Sequence, residues 1–281
     1  MPATMPAETS TEPPDSDGTG ALLTYVLRQG DRSMVLAQRL LENLAHSPEL
    51  EEDMALANVA LDLIGQSRLL YTYAGQVEAG GNAEGGSAAD PSSQPHDEDH
   101  YAYWRPDTAF TNPLLVEQPN GDFAHLITRQ FLHDAFAAPY WQAMTASTDN
   151  TLAAIAAKAV KETAYHLRHS RGWVVRLGDG TEESHRRMQV AVESLWRFTD
   201  ELFEHDDVED RLVRQGVAAD PATLAAAWRD TVTSALAEAT LDQPSDAHMR
   251  SGGRYGRHSE AFSYLIGEMQ SVARAHPGAS W

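Results

Sequence analysis

Between residues 155 and 173, Ile155, Ala159, Glu162, His166, His169 and Trp173 follow one another at steps of 4, 3, 4, 3 and 4. On a helix that spacing builds a single face, and its middle is a carboxylate followed by two imidazoles. Three other stretches bring polar groups onto similar stripes. Residues 123–144 offer Gln130 and Asp134 among Phe123, Ala137, Trp141 and Met144, residues 58–69 offer Asn58 and Asp62 beside Gly65 and Leu69, and residues 27–38 offer Asp31 and Gln38 beside Leu27 and Met34. Carboxylates at matching depths on four helices, with imidazoles beside them, are the donor set of a di-iron centre.

Such centres take a Glu from each of two helices and a Glu-x-x-His pair from each of the other two, because positions i and i+3 stand side by side. The one literal Glu-x-x-His, Glu182 to His185, falls just after a Gly-Asp-Gly break and reads as a solvated helix start. Three residues after Glu162 stands Tyr165, with His166 one step later, and three residues after Asp62 stands Gly65, which ligates nothing. Two imidazoles are missing or displaced and two expected Glu are Asp, so the expectation is a bundle that has lost its metal and binds no cofactor itself. Asp31, Asp62, Gly65, Asp134, Glu162, Tyr165 and His166 are its vestigial positions. Buried carboxylates still require neutralisation. Lys158, one turn before Glu162, is the expected charge compensation in an internal salt-bridge network, with Arg68 or His166 also able to reach in; the alternative is an ordinary exposed helix lysine.

Helices must position these groups, and the apolar periodicity supplies them over about 21–45, 48–73, 123–145, 149–177, 182–204, 221–239 and 259–275. Ser47-Pro48 with Glu51, Asp122, and Asp149 mark helix starts, and Gly178-Asp179-Gly180 marks a stop. The first four helices form two hairpins joined by a long connection. That predicts an all-α, ferritin-like four-helix bundle with one long crossover and additional C-terminal helices. Residues 1–20 and 78–100 are rich in Gly, Ser, Pro and acid, and predict a disordered tail and a flexible insertion in a single domain spanning 21–281.

The chain carries 21 basic against 41 acidic residues and no cysteine. That balance argues against nucleic-acid and membrane-surface binding, and the missing thiols exclude disulfides, thiolate zinc sites and cysteine nucleophiles. Half of the net charge of −20 falls in 1–20 and 78–100. With no secretory signal and no apolar run long enough to span a bilayer, a cytoplasmic location is expected. Two weaker constellations, Glu201 to His205 and His96 to His100, read as solvated. Arg254, Arg257 and His258 concentrate positive charge in a Gly-rich loop.

Residues 55–68 (ALANVALDLIGQSR), 112–124 (NPLLVEQPNGDFA), 165–177 (YHLRHSRGWVVRL) and 195–203 (LWRFTDELF) resemble the C-subunit family of bacterial phenylacetyl-CoA epoxidases. The likeness runs from about Leu22 to the closing PGASW, outside the tail and the Gly/Asp-rich segment. It implies a ferritin-like, non-catalytic structural subunit that stabilises a related A subunit holding the di-iron centre. It also implies electrons from a flavin and iron–sulfur reductase subunit, and epoxidation of the phenylacetyl-CoA ring during aerobic phenylacetate breakdown. Under that implication Trp104, with Tyr101, Tyr103 and Phe110, is expected on the face that meets the partner, and Arg254 and Arg257 near the CoA phosphates or the reductase. Two other readings compete. A di-iron oxygenase with a degenerate ligand set is opposed by Gly65, and a helical interaction module unrelated to oxygenation is opposed by the likeness.

Overall fold

The computed structural model describes residues 16–83 and 96–279, and every regular element among them is helical. Four long helices form the frame: α1 (Ser16–Leu41), α2 (Leu50–Ala83), α4 (Phe123–Met144) and α5 (Asn150–Gly178), with a short α3 (Leu114–Glu117) on the connection between the two pairs. Helices α1 and α2 pack along their length as one hairpin, α4 and α5 as the other, and α2 meets α5 across the bundle. This is the ferritin-like arrangement with one long crossover. Asp122 and Asp149 start α4 and α5 by accepting the backbone N–H of His125 and Leu152. The main core joins Tyr25, Leu70, Phe131, Trp141 and Leu152, and a second cluster joins Leu36, Leu56, Phe110, Val116, Phe262 and Ile266.

Beyond the bundle come α6 (Glu182–Trp196), α7 (Asp207–Arg214), α8 (Pro221–Glu238) and α9 (Glu260–Ala275). Helices α6 and α8 cover α4 and α5, α7 leans on α1, and α9 closes over a single π-helical turn, His100–Trp104. The helix expected over 182–204 is interrupted: α6 ends at Trp196, and a 3-10 turn at Asp200–Phe203 carries Glu201 inward. No described helix is long and apolar enough to cross a membrane.

The segment boundaries differ from expectation. Residues 16–20 of the expected tail form the start of α1, while 1–15 lie outside the described residues. Of the expected flexible insertion, 78–83 continue α2 and 98–100 are helical, with 84–95 outside the described residues. Side-chain pairing holds these ends: Glu78 accepts the backbone N–H of His96 at 3.0 Å and the Tyr101 hydroxyl at 2.9 Å. The backbone approach is so close that a Cβ on Gly75 would stand 2.2 Å from the His96 carbonyl oxygen, so only glycine fits there.

Candidate metal centre

The four carboxylates on the inner stripes occupy separate environments, each met by protein groups. Asp31 is 0% exposed and accepts hydrogen bonds from the Tyr71 hydroxyl at 2.6 Å and from the Thr111 backbone N–H and hydroxyl at 2.8 and 3.0 Å. Its counter-ion is Arg105, whose two terminal nitrogens both reach it. Arg105 is aimed by the π-helical turn: its Nε donates to the Tyr101 carbonyl at 2.7 Å and its guanidinium lies 4.2 Å from the Phe110 ring centroid. Burial alone would depress the guanidinium pKa, but Asp31 and Tyr71 outweigh it and raise it. On the other side of the pair, desolvation and the neighbouring Asp31 charge keep the Tyr71 phenol protonated far into alkali. The ring reaches this position because Gly30 carries no side chain; a Cβ there would stand 2.5 Å from Tyr71.

Asp134, on α4, is equally buried and accepts from Gln130 Nε2 at 2.8 Å and Ser170 Oγ at 2.8 Å, with His133 Nδ1 at 3.3 Å. Desolvation lowers the His133 pKa against the opposing pull of Asp134. Asp62 and Glu162 stand instead at the α2–α5 seam. Asp62 Oδ2 lies 3.0 Å from His166 Nε2, and Glu162 accepts from Gln66 Nε2 at 2.9 Å. A third pair, absent from the expectations, continues the seam: Glu52 meets His169 Nε2 at 2.9 Å and accepts from Trp173 Nε1 at 2.8 Å.

Lys158 does not form the expected internal network. Its amino group lies 3.6 Å from Glu162 over the open space left by Gly65, and its side chain is 56% exposed. A lysine one turn before a half-buried glutamate can satisfy it from outside, while the fully buried Asp31 takes its cation from the crossover. Tyr165 points outward, with its ring stacked on His169, because it stands one residue, about 100° of helical rotation, from His166, which holds the inner face. Among the described residues no three His, Asp or Glu side chains converge as a metal would need. With Asp31 taken by Arg105, Gly65 without a ligand and Tyr165 outside, these residues do not fit a resident metal pair.

The remaining site candidates separate. Tyr101 and Phe110 are buried against the chain's own bundle and do not join a partner-facing patch, whereas Trp104 is 41% exposed beside Met269 and Val272 of α9. The Gly-rich loop folds inward: Arg254 pairs with the buried Glu209 at 2.5 Å, which removes it from the expected CoA or reductase contact, while Arg257 stays exposed near Tyr255. Glu201 is buried rather than solvated, accepting backbone N–H bonds from Leu114 at 2.6 Å and Gly252 at 2.8 Å, and desolvation raises its pKa. His205 pairs with Asp210 and His96 with Glu78, both near the surface.

A mostly apolar surface runs along the outer side of α2, where Leu50, Met54, Asn58, Leu61, Leu69 and Thr72 are exposed beside the charged Glu51, Asp62 and Arg68; Asn58 and Leu69, expected on the inner stripe, lie out here. The adjoining outer stripe of α5 carries Ala154, Lys158, Lys161, Tyr165 and Arg168, so both lysines of the chain lie here.

The family model described as phenylacetic acid catabolic protein matches residues 5–281. The chain is 46% identical over 260 residues to the C subunit of the 1,2-phenylacetyl-CoA epoxidase of Escherichia coli (strain K12), covering 92% of this chain and 99% of that protein. With the family matched over nearly the whole chain, and with a relative of this identity spanning the bundle, the crossover and the C-terminal helices alike, the chain belongs to the phenylacetic acid catabolic protein family.

Proposed function

We propose that this chain is the non-catalytic companion subunit of a phenylacetyl-CoA ring-epoxidising complex in aerobic phenylacetate breakdown. Its work is to stabilise the related subunit that holds the di-iron centre, while a flavin and iron–sulfur reductase subunit supplies electrons and the whole assembly acts in the cytoplasm. The observation that carries this reading is Asp31: a buried carboxylate, expected to be a vestigial metal-ligand position, whose lone pairs are taken by Arg105, Tyr71 and Thr111. An arginine fixed against that oxygen repels a metal cation, and no second ligand arises from Gly65. The fold is retained and its redox chemistry is delegated.

The mostly apolar outer stripe of α2 and the basic stripe of α5 are the docking face in this proposal, with an acidic surface of the di-iron subunit as occupant. Trp104, exposed beside α9, is a second candidate contact. The test is co-expression with the di-iron subunit, followed by size exclusion and iron analysis. Expected are an iron-bearing heteromer, an iron-free chain when purified alone, loss of the heteromer in Leu61→Glu, and its weakening in Trp104→Ala with the helical spectrum intact. Two irons retained by this chain alone would overturn the non-catalytic reading. An unaffected heteromer in Leu61→Glu would overturn the choice of face.

A further inference from the structure

A narrow cavity of about 40 Å³ lies where α1, α4 and α7 meet the loops bearing Thr111, Glu201 and Arg254. Three guanidinium groups line it, from Arg28, Arg32 and Arg254. Two of them are paired. Arg28 donates to Asp206 at 2.7 Å and Glu209 at 2.8 Å, and Arg254 shares Glu209. Arg32 is 5% exposed and has no carboxylate partner among the described residues. Its guanidinium lies over the Tyr140 ring, 4.5 Å from the centroid, and over Phe136 at 5.0 Å, and its Nε has no acceptor.

Among the acceptors nearby, Gln29 Oε1 has no donor but is a neutral amide oxygen without counter-charge, and the others are committed. Glu201 is held by the backbone N–H groups of Leu114, Gly252 and Arg254, and the Tyr25 and Tyr140 hydroxyls are bonded to each other at 2.8 Å. Arg129, another buried arginine, donates instead to the Gln118 carbonyl and to Asn120 Oδ1. Arg32 bonds the Tyr140 hydroxyl, a neutral group that, like the Gln29 amide, brings no counter-charge. A buried guanidinium without a counter-charge is strongly penalised, and the lining holds further unmet N–H donors at Arg28 Nε and Arg254 Nε.

We propose that this cavity is a structural anion site, in which a small monovalent anion, a halide or a one- or two-carbon carboxylate, supplies the counter-charge of Arg32 and ties α1 to α4. The volume admits roughly three water-sized spheres, enough for such an anion and too little for a phosphate ester. Bonding is by charge-assisted N–H donation from Arg32, with the aromatic rings excluding bulk water.

The test is thermal unfolding of the full chain in sodium bromide, sodium formate and sodium gluconate at equal ionic strength, with crystals grown in bromide. Gluconate is too bulky for the cavity and serves as reference. Linkage predicts a melting temperature several degrees higher in bromide or formate once the anion exceeds its dissociation constant. The comparison of bromide with formate identifies which of the two anions the cavity prefers. Arg32→Gln should abolish the rise and the exposed Arg257→Gln should keep it, while bromide should give an anomalous peak in contact with Arg32. Equal melting temperatures in the three salts, or a rise lost equally in Arg257→Gln, would overturn the proposal. A bromide peak without any thermal effect would mean an adventitious ion only, and overturns it too. Should Arg32→Gln fail to fold, the wild-type salt series and the bromide peak decide.

Discussion

Replacing Arg105 with Met tests the account of the buried Asp31 most directly. The side chain of Met fills much of the same volume, so the perturbation is chiefly electrical. Asp31 accepts five hydrogen bonds, two of them from Arg105, and is fully buried. Removing one partner of such a pair leaves a bare charge and costs about 3–5 kcal/mol; the three surviving donors, from Tyr71 and Thr111, argue for the lower half of that range. For a large chain, that is a fall in melting temperature of roughly 6–16 °C, taking about 2–4 °C per kcal/mol. Asp31→Leu should cost a similar amount by stranding the guanidinium. The double variant Asp31→Leu with Arg105→Met should lose less than the sum of the singles, by about 2 kcal/mol, because it strands no charge. Urea titrations followed by circular dichroism at 222 nm give all four free energies. Additive losses in the double variant, or an Arg105→Met loss under about 1 kcal/mol, would refute the reasoning.

His258 sets a pH dependence of known sign. Although burial pulls its pKa down, the Glu117 carboxylate 2.6 Å away and the Phe110 carbonyl raise it above the ordinary value. A raised folded-state value means the stabilisation is complete below the unfolded histidine pKa, about 6.5, and is lost as pH climbs through the folded one. The difference in melting temperature between wild type and His258→Gln should therefore shrink from mildly acidic to alkaline pH; a constant difference would remove the charged pair from the account. Lys158→Ala should cost less than about 1 kcal/mol in the same urea assay, since an exposed pair at 3.6 Å is weak. A loss of 3 kcal/mol or more, about what breaking a buried pair costs, would restore the internal network that its spacing suggests.

Much of the frame was legible because its signals are local. Asp122 and Asp149 cap the helices they precede, Pro221 opens α8, and the Gly-Asp-Gly break closes α5 where the apolar period stops. The stripes bearing Asp31, Asp62, Asp134 and Glu162 were legible for the same reason, as periodicity within one helix. The partners of those carboxylates were not. Arg105 lies 74 residues from Asp31, and its reach depends on a π-helical turn that no composition signal marks. Glu201 reads as one acid in an acidic run until the loop at 252–254 and α3 bring backbone donors to it. Arg254 reads as an exposed loop cation until α7 presents Glu209. Each miss concerns a charge whose partner is supplied by a different element, so neither sequence neighbourhood contains the answer.

The Asp31–Arg105 pair also constrains how the chain can assemble. Helices α1 and α2 join through a short turn and can meet early, yet their hairpin encloses a carboxylate that neither helix neutralises. Only when the crossover lies across it with Arg105 and Thr111 in place does that charge become tolerable. A crossover docked one residue out of step would bury the aspartate bare, at a cost comparable to a large part of a domain's total stability of about 5–15 kcal/mol. Asp31 thus acts as a proofreading point: it discriminates among ways of threading the connection, and it penalises every one that brings the wrong residue over helix α1.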